Sequence, residues 1–162
     1  MASGNVSRMT SAISVALHSL LGIFVFGALQ LPGLFFARIA KSENVGAIRS
    51  VFSVAVARAR VFGPMTLLVA LVGFWAAYVR GIPLSAGWLI ASYVTFALLF
   101  VIGVGFHARW EAKILALAQA SPLDALSAEL KAAIHSPLES VLHWVSIVLW
   151  IALFYFMIAK PF

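Results

Sequence analysis

The chain has 162 residues, of which 64% are hydrophobic and 10% charged, with a formal net charge of +6 and no cysteine. A water-soluble domain averages about 45–50% apolar and about 25% charged residues, so this composition excludes an ordinary soluble core and asks for lipid as the solvent. The absence of cysteine excludes disulfides, thiolate metal sites, iron–sulfur clusters and catalytic thiols. The basic residues lie between apolar runs, not in a patch with interleaved aromatics, which argues against a nucleic-acid partner.

The first ten residues are polar. Arg8 followed by an apolar run imitates a signal peptide, but the run Ser11–Ala37 is too long for a signal core and lacks a clear small-residue cleavage site. It reads as a retained first span. Crossing about 30 Å of hydrocarbon takes about 20 helical residues, and three further runs reach that length: Val61–Val79, Leu84–His107 and Val141–Ala159. All four are continuously apolar with no period of two, which excludes barrel strands. The expected fold is therefore an all-α membrane protein. A single domain over residues 1–162 forms four transmembrane helices in an antiparallel bundle, with the lipid bilayer as its first partner.

Between the first two runs, residues 42–60 carry Val45, Ile48, Val51, Phe52, Val54, Ala55 and Val56 and read as an amphipathic extension of the second helix. Pro64 falls inside that helix and predicts a kink, because it deletes one backbone hydrogen bond and crowds the preceding turn. The third loop holds a small repeat, Ser121-Pro122-Leu123-Asp124 and Ser136-Pro137-Leu138-Glu139. Ser as cap, Pro at the first helical position and an acid three residues after the Ser spell a helix start. A short amphipathic helix over 122–134 is expected, and the fourth span starts at Pro137. Arg38, Lys41, Arg49, Arg58, Arg60, Arg109, Lys113 and Lys131 fall on one side of the bundle, and Arg8, Arg80 and Lys160 on the other. The excess places the first and third loops in the cytoplasm and both termini outside.

Ionisable groups within a membrane are rare and costly, so they mark candidate sites. His18 lies in the outer half of span 1, at a depth of about 10–14 Å that it shares with Ser92 and Tyr93 of span 3. His107 closes span 3 and His143 opens span 4 at similar depth near the other face. His18 with Tyr93 or Ser92, and His107 with His143, are the two pairs that could meet across the bundle. Facing side chains of this kind build cofactor sites, and haem iron needs one or two axial ligands in aromatic surroundings. A lone intrahelical His is more often a packing residue, and His135 reads as surface. All five acids, Glu43, Glu111, Asp124, Glu129 and Glu139, fall in loops or at span ends, which speaks against paired-carboxylate chemistry. Trp75, Tyr78 and Trp88 at one end, and Trp110 and Trp144 at the other, read as interfacial belts.

Span 1, ALHSLLGIFVFGALQLPGLFFAR, resembles the first helix of a superfamily of small four-helix bacterial membrane proteins. Its members are the HemJ-type protoporphyrinogen oxidases, the membrane domain of CopD copper-resistance proteins and an uncharacterised predicted integral membrane family. Pro64 with Gly73-Phe74-Trp75, Gly87-Trp88 and the ending Lys160-Pro161-Phe162 extend the likeness over all four spans. The resemblance implies the bacterial inner membrane, a b-type haem or related porphyrin with His18 as axial ligand, and a redox role. Three positions depart from the HemJ-type pattern. Ser92 and Tyr93 stand where HemJ-type enzymes have an intramembrane Lys, His143-Trp144-Val145-Ser146 replaces an Asn-Glu-x-Pro signature, and Gly33 replaces an Arg. These departures bring the chain nearest the uncharacterised relatives. They also keep open a non-enzymatic alternative without cofactor: an accessory subunit of a larger membrane complex, or a self-associating protein. Copper handling ranks last, because Met1, Met9, Met65 and Met157 form no cluster of soft ligands.

A chain without cysteine allows a direct test of orientation. Asp124→Cys is expected to react with an impermeant maleimide only after the membrane is opened, and Ser85→Cys in intact cells. The reverse pattern would invert the topology.

Overall fold

The computed structural model describes the backbone of residues 2–162 and the side chains of residues 8–30, 33 and 35–162. Leu31, Pro32 and Leu34 of the first-span motif lie outside the described side chains. Helices are α1 (Ala2–Ala40), α2 (Val45–Val79), α3 (Gly87–Phe100), a π-helical segment (Val101–His107), α4 (Ala108–Ala120), α5 (Ala128–Ile134) and α6 (Pro137–Ala159). The described chain contains no strand, and four stretches are long and apolar enough to cross a membrane. The protein is an all-α membrane protein. α1 lies along α2, α3 along α6, and α4 ties the pairs together by packing on α2.

The helices are longer than a bilayer is thick. At about 1.5 Å per residue, α2 with its 35 residues measures about 50 Å, against about 30 Å of hydrocarbon. The surplus lies at the end that carries the 41–44 turn, α5 and the start of α6, called here the loop end. At that end the chain builds a water-type core. Phe36, Ile48, Phe52, Ala55, Ile114, Ala118, Leu130 and Ile134 pack together from α1, α2, α4 and α5. Leu20, Ile23, Leu71, Val94, Val148 and Ile151 on the spans are exposed instead, as suits side chains whose solvent is lipid.

Local chemistry explains the helix ends. Asn44 accepts from the Ala47 N–H at 2.9 Å and starts α2, which runs as one helix through Pro64. Ser136 accepts from the Glu139 N–H with Pro137 at the first position, so the second copy of the Ser-Pro-Leu-acid repeat does start a helix. The first copy does not. The Ser121 N–H and hydroxyl both donate backward to the Leu117 carbonyl, at 3.0 and 2.9 Å, while the Ser121 carbonyl accepts from Arg49. Ser121 thus closes α4, with its hydroxyl turned back onto Leu117 and not forward onto a following helix. The amphipathic helix starts later, at Ala128, capped by Ser127. Leu130 and Ile134 of this helix are buried, whereas Leu123, ahead of it in the connection, is exposed. The third span also continues past His107 to Ala120, through residues that composition assigns to a loop. Trp110 is no belt residue: its indole N–H donates to the Ala133 carbonyl at 3.0 Å and its ring meets Phe52 edge-on.

Phe52 is fully buried in the loop-end core, so Phe52→Ala is expected to cost about 3–5 kcal/mol. Leu71→Ala on the lipid face should change stability by less than about 0.5 kcal/mol. Thermal midpoints in the same detergent compare the two; equal losses would show that the loop end carries no core of its own.

Candidate functional site

A cavity of about 300 Å³ opens inside the bundle toward the loop end. Phe26, Phe36, Phe96, Phe100 and Trp150 contribute apolar wall, and Arg58, Glu111, Glu139, His107 and His143 contribute ionisable groups to it. The π-helical segment sits on its rim. There the Ala108 N–H donates to Gly103, five residues back. The wider turn inserts a residue and rotates everything beyond it, a device often found at functional sites. The result is that His107 and Glu111, one turn apart, both reach the cavity.

The polar residues form two linked sets. Arg58 donates through Nη2 to Glu111 Oε1 at 2.5 Å and through Nη1 to the Leu29 carbonyl at 2.9 Å. Its guanidinium lies 4.7 Å from the centre of the Phe36 ring, a cation–π contact. The two charged side chains are only 11% and 9% exposed, so this is a buried ion pair joining α1, α2 and α4. His107 bonds through Nδ1 to Glu139 Oε1 and through Nε2 to the Ser146 hydroxyl at 3.2 Å. A carboxylate only accepts, so Nδ1 carries the proton. Ser146 then donates to Nε2 of the neutral ring or accepts from the imidazolium.

His143 differs from its neighbours. Its ring centre lies 6.4 Å from that of His107, so the structure brings the two together on one cavity wall. Gly33 packs beside it: a Cβ there would lie 3.6 Å from His143 Cε1, an ordinary contact. Nε2 of His143 is buried and has no hydrogen-bond partner.

The other expected pair does not form. His18 Nδ1 lies 3.1 Å from the Val69 carbonyl, so α2, not span 3, holds it. Gly73 permits the approach, since a Cβ there would fall 2.7 Å from His18 Cε1. Ser92 donates to its own helix at Trp88, 2.7 Å away. The Tyr93 ring rests 5.0 Å from Phe74, and its hydroxyl is buried without a partner. Depth along the axis sets the height of His18 and Tyr93 but not their azimuth, and neither lines the cavity. Among the described residues no three of His, Cys, Asp or Glu are grouped to hold a metal ion.

Arg58, Glu111 and Glu139 are the residues that composition misses. Each extends a buried helical stripe: Ile48, Phe52, Ala55 and Arg58; His107, Glu111, Ile114 and Ala118; Glu139, His143, Ser146, Trp150 and Leu153. Spacings of three and four are the signal, readable once the helices are extended through the supposed loops.

A buried ion pair that loses one member leaves an uncompensated charge, at about 3–5 kcal/mol. Glu111→Leu and Arg58→Met are each expected to lower the thermal midpoint sharply, and the double variant to recover most of the loss. Additive losses would mean the two do not act as a pair.

No curated protein and no solved structure matches the chain at a significant level. The family described as "Predicted integral membrane protein (DUF2269)" matches residues 13–161, which include every residue lining the cavity, and the chain belongs to that family.

Proposed function

We propose that this membrane protein holds a b-type haem, or a related porphyrin, in the loop-end cavity with His143 as axial ligand, and serves a redox role in the bacterial inner membrane. The carrying observation is the buried Nε2 of His143 without a partner. A buried polar atom left unpaired costs about 1–3 kcal/mol, and a ligand bonded to that nitrogen removes the cost. His107 is the poorer candidate because both its nitrogens are engaged. His18 is poorer still: its ring is held against α2 and lies outside the cavity wall. The ligand role therefore passes from His18 to His143.

The surroundings suit a flat apolar ring system. Ligand sites commonly measure about 300–1,000 Å³ with a few convergent polar groups in apolar walls, and this cavity has that make-up. Haem bound there would supply one-electron chemistry. The chain's own residues would orient it: His143 through its free ring nitrogen, and Phe26 and Trp150, 3.9 Å apart at their centres, by closing one side. The accessory-subunit reading rests on the lack of intramembrane charge and on the missing HemJ-type Lys and Glu; the buried Arg58–Glu111 and His107–Glu139 pairs count against the first ground and leave the second.

Purified protein supplemented with haem is expected to show a Soret band that His143→Ala abolishes and His18→Ala leaves in place. Absence of a band, or a band indifferent to His143→Ala, would overturn the reading.

A further inference from the structure

The end of the bundle opposite the loops carries a different kind of feature. All five acids sit at the loop end, in the 41–44 turn, α4, the 121–127 connection, α5 and the first turn of α6. The opposite end has three cations, Arg8, Arg80 and Lys160, and no acid. Lys160 is occupied, with Nζ 5.3 Å from the centre of the Trp88 ring. Arg8 and Arg80 are both exposed, and among the described residues neither guanidinium has a hydrogen bond or ion pair. They line one open groove between α1 and α2, whose remaining wall includes Ala12, Val15, Ala16 and Val79.

We propose that this groove is a binding site for an anionic phospholipid, with the phosphodiester between Arg8 and Arg80 and an acyl chain lying along Ala12 and Ala16. Three observations carry it, and none depends on the haem reading. The first is charge: two forked donors converge where no carboxylate competes for them, and guanidinium matches phosphate geometry. The second is depth. Tyr78 and Trp75 are exposed at this same end, and such rings sit at headgroup level in a bilayer. The third is the floor of the groove. Beyond Ser11 its wall is built of Ala12, Val15, Ala16 and Val79, and the exposed Leu17 and Leu20 follow along α1, surface that a soluble anion would leave bare and an acyl chain would cover.

A cation near an anionic membrane surface contributes about 1 kcal/mol, which is roughly a five-fold change in affinity for each guanidinium and about twenty-five-fold for both. Native mass spectrometry of the full chain, released from mixed micelles of phosphatidylglycerol and phosphatidylcholine, reads the ratio of the two lipids retained. Wild type is expected to retain phosphatidylglycerol preferentially. Arg8→Gln with Arg80→Gln should lower that preference by about twenty-five-fold, and Arg109→Gln with Lys113→Gln at the loop end should leave it intact. A wild type without the preference overturns the proposal whatever the variants do. So does an unchanged preference in the arginine variant with its helical circular dichroism intact. Displacement of phosphatidylglycerol by inorganic phosphate would assign the groove to a soluble anion and overturn the lipid reading.

Discussion

The buried pair of Arg58 and Glu111 is the contact around which the loop end is organised. Away from water neither charge survives alone: attraction repays desolvation only when the geometry is good and the remaining donors are bonded. Here Glu111 takes one arm of the guanidinium, the Leu29 carbonyl another, and the Phe36 ring covers its face, while Nε is buried without a partner. Those partners come from α4 and α1, while Arg58 itself belongs to α2. One side chain thereby fixes three helices at a common level, and the cavity is the space they leave beside it. Arg49 does similar work further out, donating to the Ala118 and Ser121 carbonyls where α4 ends. Two arginines of α2 thus set both the level and the ending of α4.

Two solvents act on the same helices. Where the chain meets lipid, apolar side chains gain little by turning inward, and large residues such as Leu20 and Ile151 stay outside. Where the helices run beyond the hydrocarbon, water again drives burial, and Phe52, Ile48, Ile114 and Leu130 become fully enclosed. The protein is therefore a membrane bundle with a small soluble-type core attached. The cavity lies at the junction between them, where apolar walls and ionisable side chains occur together.

Much of this was legible beforehand. Length and hydropathy suffice for the helical membrane class and for four spans, because a backbone in oil has no partner but itself. Capping chemistry placed the start of α6 at Pro137. It misplaced α5, because a Ser-Pro-Leu-acid string says nothing about a competing tertiary bond, and Arg49 together with the backward bonds of Ser121 decided that contest. The inner histidine pair was legible from depth alone, since His107 and His143 sit at the same level of adjacent spans. The pairing of His18 with Ser92 or Tyr93 failed on azimuth, because Gly73 lets α2 receive the His18 ring. Counting charges by loop also hid Arg58, Glu111 and Glu139, whose register on a helix outweighs their distance from the hydrophobic run.

Which histidine is left free follows from the path of the third span. The π-helical segment delays the backbone by one residue just before His107, and so sets that ring between Glu139 and Ser146 of α6, where both nitrogens find partners. His143 stands one turn beyond Glu139 on that same helix, with no hydrogen bond to an acid, and Gly33 and the rings of His107 and Trp144 lie beside it. Its unbonded nitrogen is thus a consequence of how the neighbouring histidine is satisfied. Restoring regular helix between Val101 and His107 would redirect His107, and with it the choice of which ring lacks a partner. The chemistry of the cavity is set by backbone register as much as by the identity of the residues around it.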